Sequence, residues 1–142
     1  MNGKNWIVAG AVLAALGVAA GSFGAHGLEQ WLAERAAEDS DASAFVAQRL
    51  DQFETGVRYH LVHALALVLV GLLRARTASK ALAAAGSCFL AGVILFSGML
   101  YALVLTDTPR LGMIVPIGGL SYIAGWALLA VAGWGMKSVD RA

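Results

Sequence analysis

Three histidines occupy positions where an imidazole needs a reason to be. His26 closes one long apolar stretch, and His60 and His63 lie near the start of the next. Inside a membrane such a side chain can ligate haem or a metal, relay protons, or hydrogen-bond between helices. At about 100° per helical residue, His60 and His63 sit about 60° apart and share a face with Phe53, Gly56 and Leu67. Glu54 and Arg58, about 40° apart on a different face, read as an i,i+4 ion pair at the membrane boundary. A metal or haem site would pair His63 with His26 or His60, but no carboxylate shares their face and His26 belongs near the surface. No cofactor and no metal are therefore expected. A proton relay needs further titratable groups at depth, and only Tyr59 and Tyr101 are evident. The expectation is a neutral His63, about 14 Å below the boundary, hydrogen-bonded to a hydroxyl such as Ser97 or Tyr101. The candidate polar cluster is thus His26, Glu54, Arg58, Tyr59, His63, Ser97 and Tyr101.

The elements that must position these groups are four apolar stretches, Trp6 to Ala25, Val57 to Leu73, Ala81 to Leu105 and Leu111 to Met136. A bilayer core of ~30 Å takes about 20 helical residues, and lipid demands that each spanning backbone satisfy its own hydrogen bonds. The fold class that follows is an all-α membrane protein: one domain over residues 1–142, with spans of about 6–26, 55–73, 81–105 and 111–136. Composition agrees, with 59% hydrophobic and only 13% charged residues and a mean hydropathy of +0.72. The polar segment 27–54 carries Val46, Leu50, Phe53 and Val57 at helical spacing after an Asp41-Ala42-Ser43 cap. It reads as an amphipathic helix on the outer surface. Leu28, Trp31 and Leu32 make a shorter turn of the same kind, with a solvated bend at Glu38-Asp39-Ser40-Asp41 between them.

Charge orients the chain. One end holds Lys4, Arg74, Arg76, Lys80, Lys137 and Arg141 with Asp140 as its only acid; the other holds Arg35, Arg49, Arg58 and Arg110 among eight acids. By the positive-inside rule both termini are expected in the cytoplasm, in a multi-pass protein of the plasma (inner) membrane. Lys4 and Val18-Ala19-Ala20 could also suggest a secretory signal, but the apolar run continues to Ala25, beyond the ~7–15 residues of a signal core. The single Cys88 lies within the third stretch as a small hydrophobe. A net charge of +1 without a basic cluster argues against nucleic acid as a partner.

Small residues mark where helices meet. Gly10, Ala14, Gly17, Gly21 and Gly24 line the first helix and include a GxxxG arrangement, which lets backbones approach closely in lipid. Gly98 in the third helix and Gly118, Gly119 and Gly125 in the fourth are further packing candidates. Pro116 lacks an N–H for the helix ladder, so a kink or a broken first turn is expected there. The stripes leave open whether they meet within one chain or between copies.

Several runs then resemble a known family, the small membrane proteins catalogued as domain of unknown function 423. They are Gly21-Ser22-Phe23-Gly24-Ala25-His26-Gly27-Leu28, the stretch Phe53-Glu54-Thr55-Gly56-Val57-Arg58-Tyr59-His60-Leu61-Val62-His63-Ala64-Leu65-Ala66, then Phe96-Ser97-Gly98-Met99-Leu100-Tyr101, Pro116-Ile117-Gly118-Gly119 and Ala124-Gly125-Trp126. The resemblance implies a four-span membrane architecture and adds no chemistry. It places His26, Tyr59 and His63 on the family's pattern, while His60 stands where that pattern often has other residues. Glu34 to Ser43 reads as an addition to a shorter family loop. With no catalytic constellation in view, the expected function is a non-enzymatic subunit or organiser of a membrane assembly, embedded in the lipid bilayer and partnered by copies of itself or another membrane protein. The alternative is a small transporter or channel with a polar site around His63 and the Pro116 break.

Overall fold

The structure is a computed structural model and describes residues 1–36 and 41–136. The bend expected at Glu38-Asp39-Ser40, and the terminal charges Lys137, Asp140 and Arg141, lie outside those residues. Among the described residues all regular structure is helical, and four helices are long and apolar enough to cross a membrane: Gly3–His26, Ala42–Arg76, Lys80–Thr106 and Pro109–Trp134.

Helix α1 runs Gly3–His26, opened by Asn2, whose side chain accepts from the Asn5 N–H at 2.9 Å. Gly27 ends it, and the short α2 (Leu28–Arg35) follows directly. Leu28 and Leu32, one turn apart, are fully buried against Phe53, Leu103 and Val104. Helix α2 belongs to the polar segment between the first two spans, where burying each leucine contributes about 1.5–3 kcal/mol. Helix α3 (Ala42–Arg76) is a single element of 35 residues, about 52 Å long and well beyond a ~30 Å bilayer core. The amphipathic segment and the second span are therefore continuous. It does not lie along the surface, because the face carrying Leu50 and Phe53 is covered by α2 and the third span, while Val57 meets Gly21 of α1. Arg49, a residue only 7% exposed, fixes this extension: its guanidinium donates to Asp107 Oδ1 and, at 3.0 Å, to Gln52 Oε1, with the Phe45 ring 4.9 Å away.

The third span comprises α4 (Lys80–Gly92), a π-helical turn (Val93–Gly98) and α5 (Met99–Thr106). Ser79 caps it, accepting from the Leu82 N–H at 3.4 Å. Asp107 ends it in the left-handed region with φ 47°, a conformation that asparagine and aspartate tolerate better than other side chains. A 3-10 turn over Pro109–Met113 leads into α6 (Val115–Trp134). Pro116 sits in the first turn of α6, where no N–H is needed. The sequence expectation of a broken first turn thus takes the form of a helix boundary between the 3-10 turn and α6.

Helix α1 lies along α3, and α6 lies along the third span. Gly3, Gly10, Gly17 and Gly24 recur every seven residues and all face α3. A Cβ at Gly3 would stand 2.7 Å from the Gly71 carbonyl oxygen, and one at Gly10 2.7 Å from that of Ala64. At Gly17 a Cβ would meet Leu61, at Gly21 Val57, and at Gly24 Phe53. The stripe is therefore used within this chain. In the fourth span Gly118 presses on the Phe96 backbone and Gly125 on the Phe89 ring, whereas a Cβ at Gly98 or Gly119 would find its nearest neighbour at 3.6 Å or 3.8 Å, an ordinary van der Waals contact, so neither marks a close approach.

Candidate functional site

The most elaborate polar arrangement inside the membrane surrounds His63. Ten residues, about 15 Å, separate it from Leu73, which places it near the middle of a ~30 Å core. The side chain is 3% exposed. Its Nε2 lies 3.1 Å from Trp126 Nε1 and its Nδ1 2.7 Å from the Tyr59 carbonyl oxygen one turn earlier. An indole N–H can only donate, so Nε2 is the acceptor and Nδ1 carries the proton that it gives to Tyr59. This is a neutral imidazole with both nitrogens engaged. Tyr122 stacks on its face with ring centroids 3.4 Å apart and planes 13° from parallel.

The expected hydroxyl partners of His63 go elsewhere. Ser97 pairs with the Tyr122 hydroxyl at 3.3 Å, and Tyr101 with His60 Nδ1 at 3.2 Å. The reason is rotational register. The π turn sets the residues after it back by about one position relative to an uninterrupted α-helix. Gly92, just before the turn, admits the Tyr122 ring, while Tyr101, beyond it, lies against Gly56 and Phe53. His60 is as buried as His63, at 5% exposed. Its Nε2 is buried with no hydrogen-bond partner among the described residues.

The seven candidate residues therefore do not form one cluster. His63 and Ser97 belong to a mid-membrane aromatic group with Tyr122, Trp126, Phe89 and Phe96, with Tyr59 at its lipid-facing edge. Tyr101 joins His60. His26, Glu54 and Arg58 are exposed at the α2 end. The expected Glu54–Arg58 ion pair is absent: the one salt bridge among the described residues joins Arg49 to Asp107. Pro116 is exposed, and His63 meets α6 at Tyr122 and Trp126, so the Pro116 break and His63 do not share a site.

Sequence reasoning missed Trp126 and Tyr122 as the partners of His63, although their i,i+4 spacing placed both on one face of α6. It also missed the Arg49–Asp107 pair, whose members are 58 residues apart. Chemically, Nε2 could accept a proton or a metal only by breaking the Trp126 bond. A cleft of about 400 Å³ opens toward lipid beside this group, lined by Tyr59, Val62, Phe96, Tyr122 and Trp126 among others.

Comparison with known proteins places this architecture among relatives. The family model described as "Protein of unknown function (DUF423)" matches residues 20–119, a segment that contains His63 and Ser97 and ends before Tyr122 and Trp126. A UPF0382 membrane protein of Bacillus subtilis is 38% identical over 130 residues, covering 91% of this chain and 95% of its own length. Similar proteins from Staphylococcus haemolyticus and Staphylococcus aureus are 37% and 38% identical over 129 residues, each covering 91% of this chain and 94% of its own length. No solved structure matches.

Proposed function

From the premise that this chain belongs to the DUF423 family of membrane proteins, we propose that it is a non-enzymatic subunit or organiser of a membrane assembly. It resides in the plasma (inner) membrane with its basic end, and so both termini, in the cytoplasm. The observation that carries this reading is the engagement of the mid-membrane polar groups with one another. His63 is held by Trp126 and Tyr59, and Ser97 by Tyr122, all through uncharged hydrogen bonds. A transport site needs groups that can exchange partners with cargo, and His63 has no free valence to offer. The small-residue stripe of α1 is consumed against α3, so contacts with a partner fall on the outer faces of α1 and α6, where Val12, Leu16, Leu120, Ile123 and Val131 are exposed.

Purification in mild detergent at native expression, with identification of co-eluting proteins, tests the reading: a stoichiometric partner is expected. Solute flux in proteoliposomes that disappears on His63→Leu, without any partner, would replace it with the transporter reading.

A further inference from the structure

A groove of about 330 Å³ runs between α1 and α3 at the α2 end of the bundle. Gly21, Gly24 and Ala25 of α1 form one side, Val57 and Leu61 of α3 the other, and Glu54 and Arg58 stand at its rim. Arg58 is exposed there, and among the described residues it has neither an ion pair nor a hydrogen bond. Fifteen residues, about 22 Å, separate it from Leu73, which leaves it about 8 Å inside a ~30 Å hydrocarbon layer. A cation at that depth needs an anion, and an arginine can extend its head toward the headgroup level while its stem stays in the apolar layer. The planar guanidinium fork matches a phosphate. Glu54, one turn closer to the boundary and equally unpaired, supplies a carboxylate about 6 Å further along the helix. In an ethanolamine headgroup the ammonium follows the phosphate by two carbons, in the same direction and at a similar spacing, and it can donate hydrogen bonds to that carboxylate.

We propose that this groove binds one phospholipid of the phosphatidylethanolamine class from the leaflet at the α2 end. Its phosphate sits on Arg58, its ammonium on Glu54, and an acyl chain lies along Gly21, Val57 and Leu61. Charge complementarity selects this occupant: phosphatidylglycerol offers the phosphate but no cation for Glu54, and choline offers a cation that cannot donate. The site is independent of the assembly reading, since the isolated chain suffices to form it.

The test uses the full chain in mild detergent or nanodiscs containing equal amounts of phosphatidylethanolamine and phosphatidylglycerol, with bound lipid counted by native mass spectrometry. About one phosphatidylethanolamine per chain is expected. Arg58→Gln should lower retention of both lipids about tenfold, the ratio associated with losing a charge-assisted hydrogen bond. Glu54→Gln should abolish the preference for ethanolamine while leaving phosphatidylglycerol retention intact. Both side chains are exposed, so the melting temperatures should match the wild type. A second measurement needs no variant: diacylglycerol, which has the chains without the phosphate, should fail to displace the bound lipid. Equal retention of the two lipids by the wild type, unchanged retention in Arg58→Gln, or displacement by diacylglycerol would overturn the proposal. Displacement by inorganic phosphate alone would assign Arg58 to a soluble anion and overturn it as a lipid site.

Discussion

The hydrogen bond between Trp126 and His63 can be measured by a double-mutant cycle. Trp126→Phe removes the N–H donor but keeps an aromatic ring against Phe89, whose centroid lies 5.0 Å from that of Trp126. Hydrogen bonds between membrane helices average about 0.6 kcal/mol and reach about 1.7, so that is the expected loss. His63→Leu removes the same bond and also the 3.4 Å stacking on Tyr122, worth about 0.5–1.5 kcal/mol more. His63→Gln, which retains hydrogen-bonding capacity, should be milder than His63→Leu. Because the shared bond is lost only once, the double variant Trp126→Phe/His63→Leu should fall short of the sum of the singles by about 0.6–1.7 kcal/mol. Reversible unfolding in mixed detergent micelles supplies the free energies. In the same samples the ¹⁵N shifts of the His63 ring should report a neutral imidazole protonated at Nδ1. A coupling energy near zero, or a ring protonated at Nε2, would refute the assigned geometry.

Other expectations follow from particular contacts. Gly118→Ala should destabilise by about 1–3 kcal/mol, since its methyl group would collide with the Phe96 backbone. Gly119→Ala, whose methyl group would meet the Phe96 ring at an ordinary van der Waals distance of 3.8 Å, should be neutral or gain up to about 1 kcal/mol in helix propensity; thermal melts in detergent compare the two. Leu32→Ala should cost about 2–5 kcal/mol, because α2 is held to the bundle by fully buried leucines, and hydrogen exchange should rise across Leu28–Arg35 more than across α6. Reporter fusions after Lys80 and after Met136 should both read cytoplasm, and one inserted within 34–43 should read the opposite side; the reverse pattern would overturn the charge-based orientation.

Much of the architecture was legible because the bilayer judges each segment separately. Length and hydropathy delimit a span without reference to its neighbours, and Pro116 acts at a helix start through the local absence of a hydrogen-bond donor. The stripe of Gly10, Ala14, Gly17, Gly21 and Gly24 on α1 likewise announced a close helix contact, because a missing Cβ lets two backbones meet. What the sequence left undecided was which side chains would meet. Lipid tails are as apolar as leucine, so hydropathy does not say which face of a spanning helix turns inward. That choice rests on rotation and axial register, set here by Gly92 and Gly118 where the third and fourth spans meet and by a π turn that leaves no mark in a 3.6-residue pattern. The tertiary structure therefore gave His63 to Trp126 and Ser97 to Tyr122, buried His60 with Tyr101, and joined Arg49 to Asp107. It also left Glu54 and Arg58 apart on the rim of a lipid-facing groove, because a one-turn spacing on a helix permits an ion pair without enforcing one.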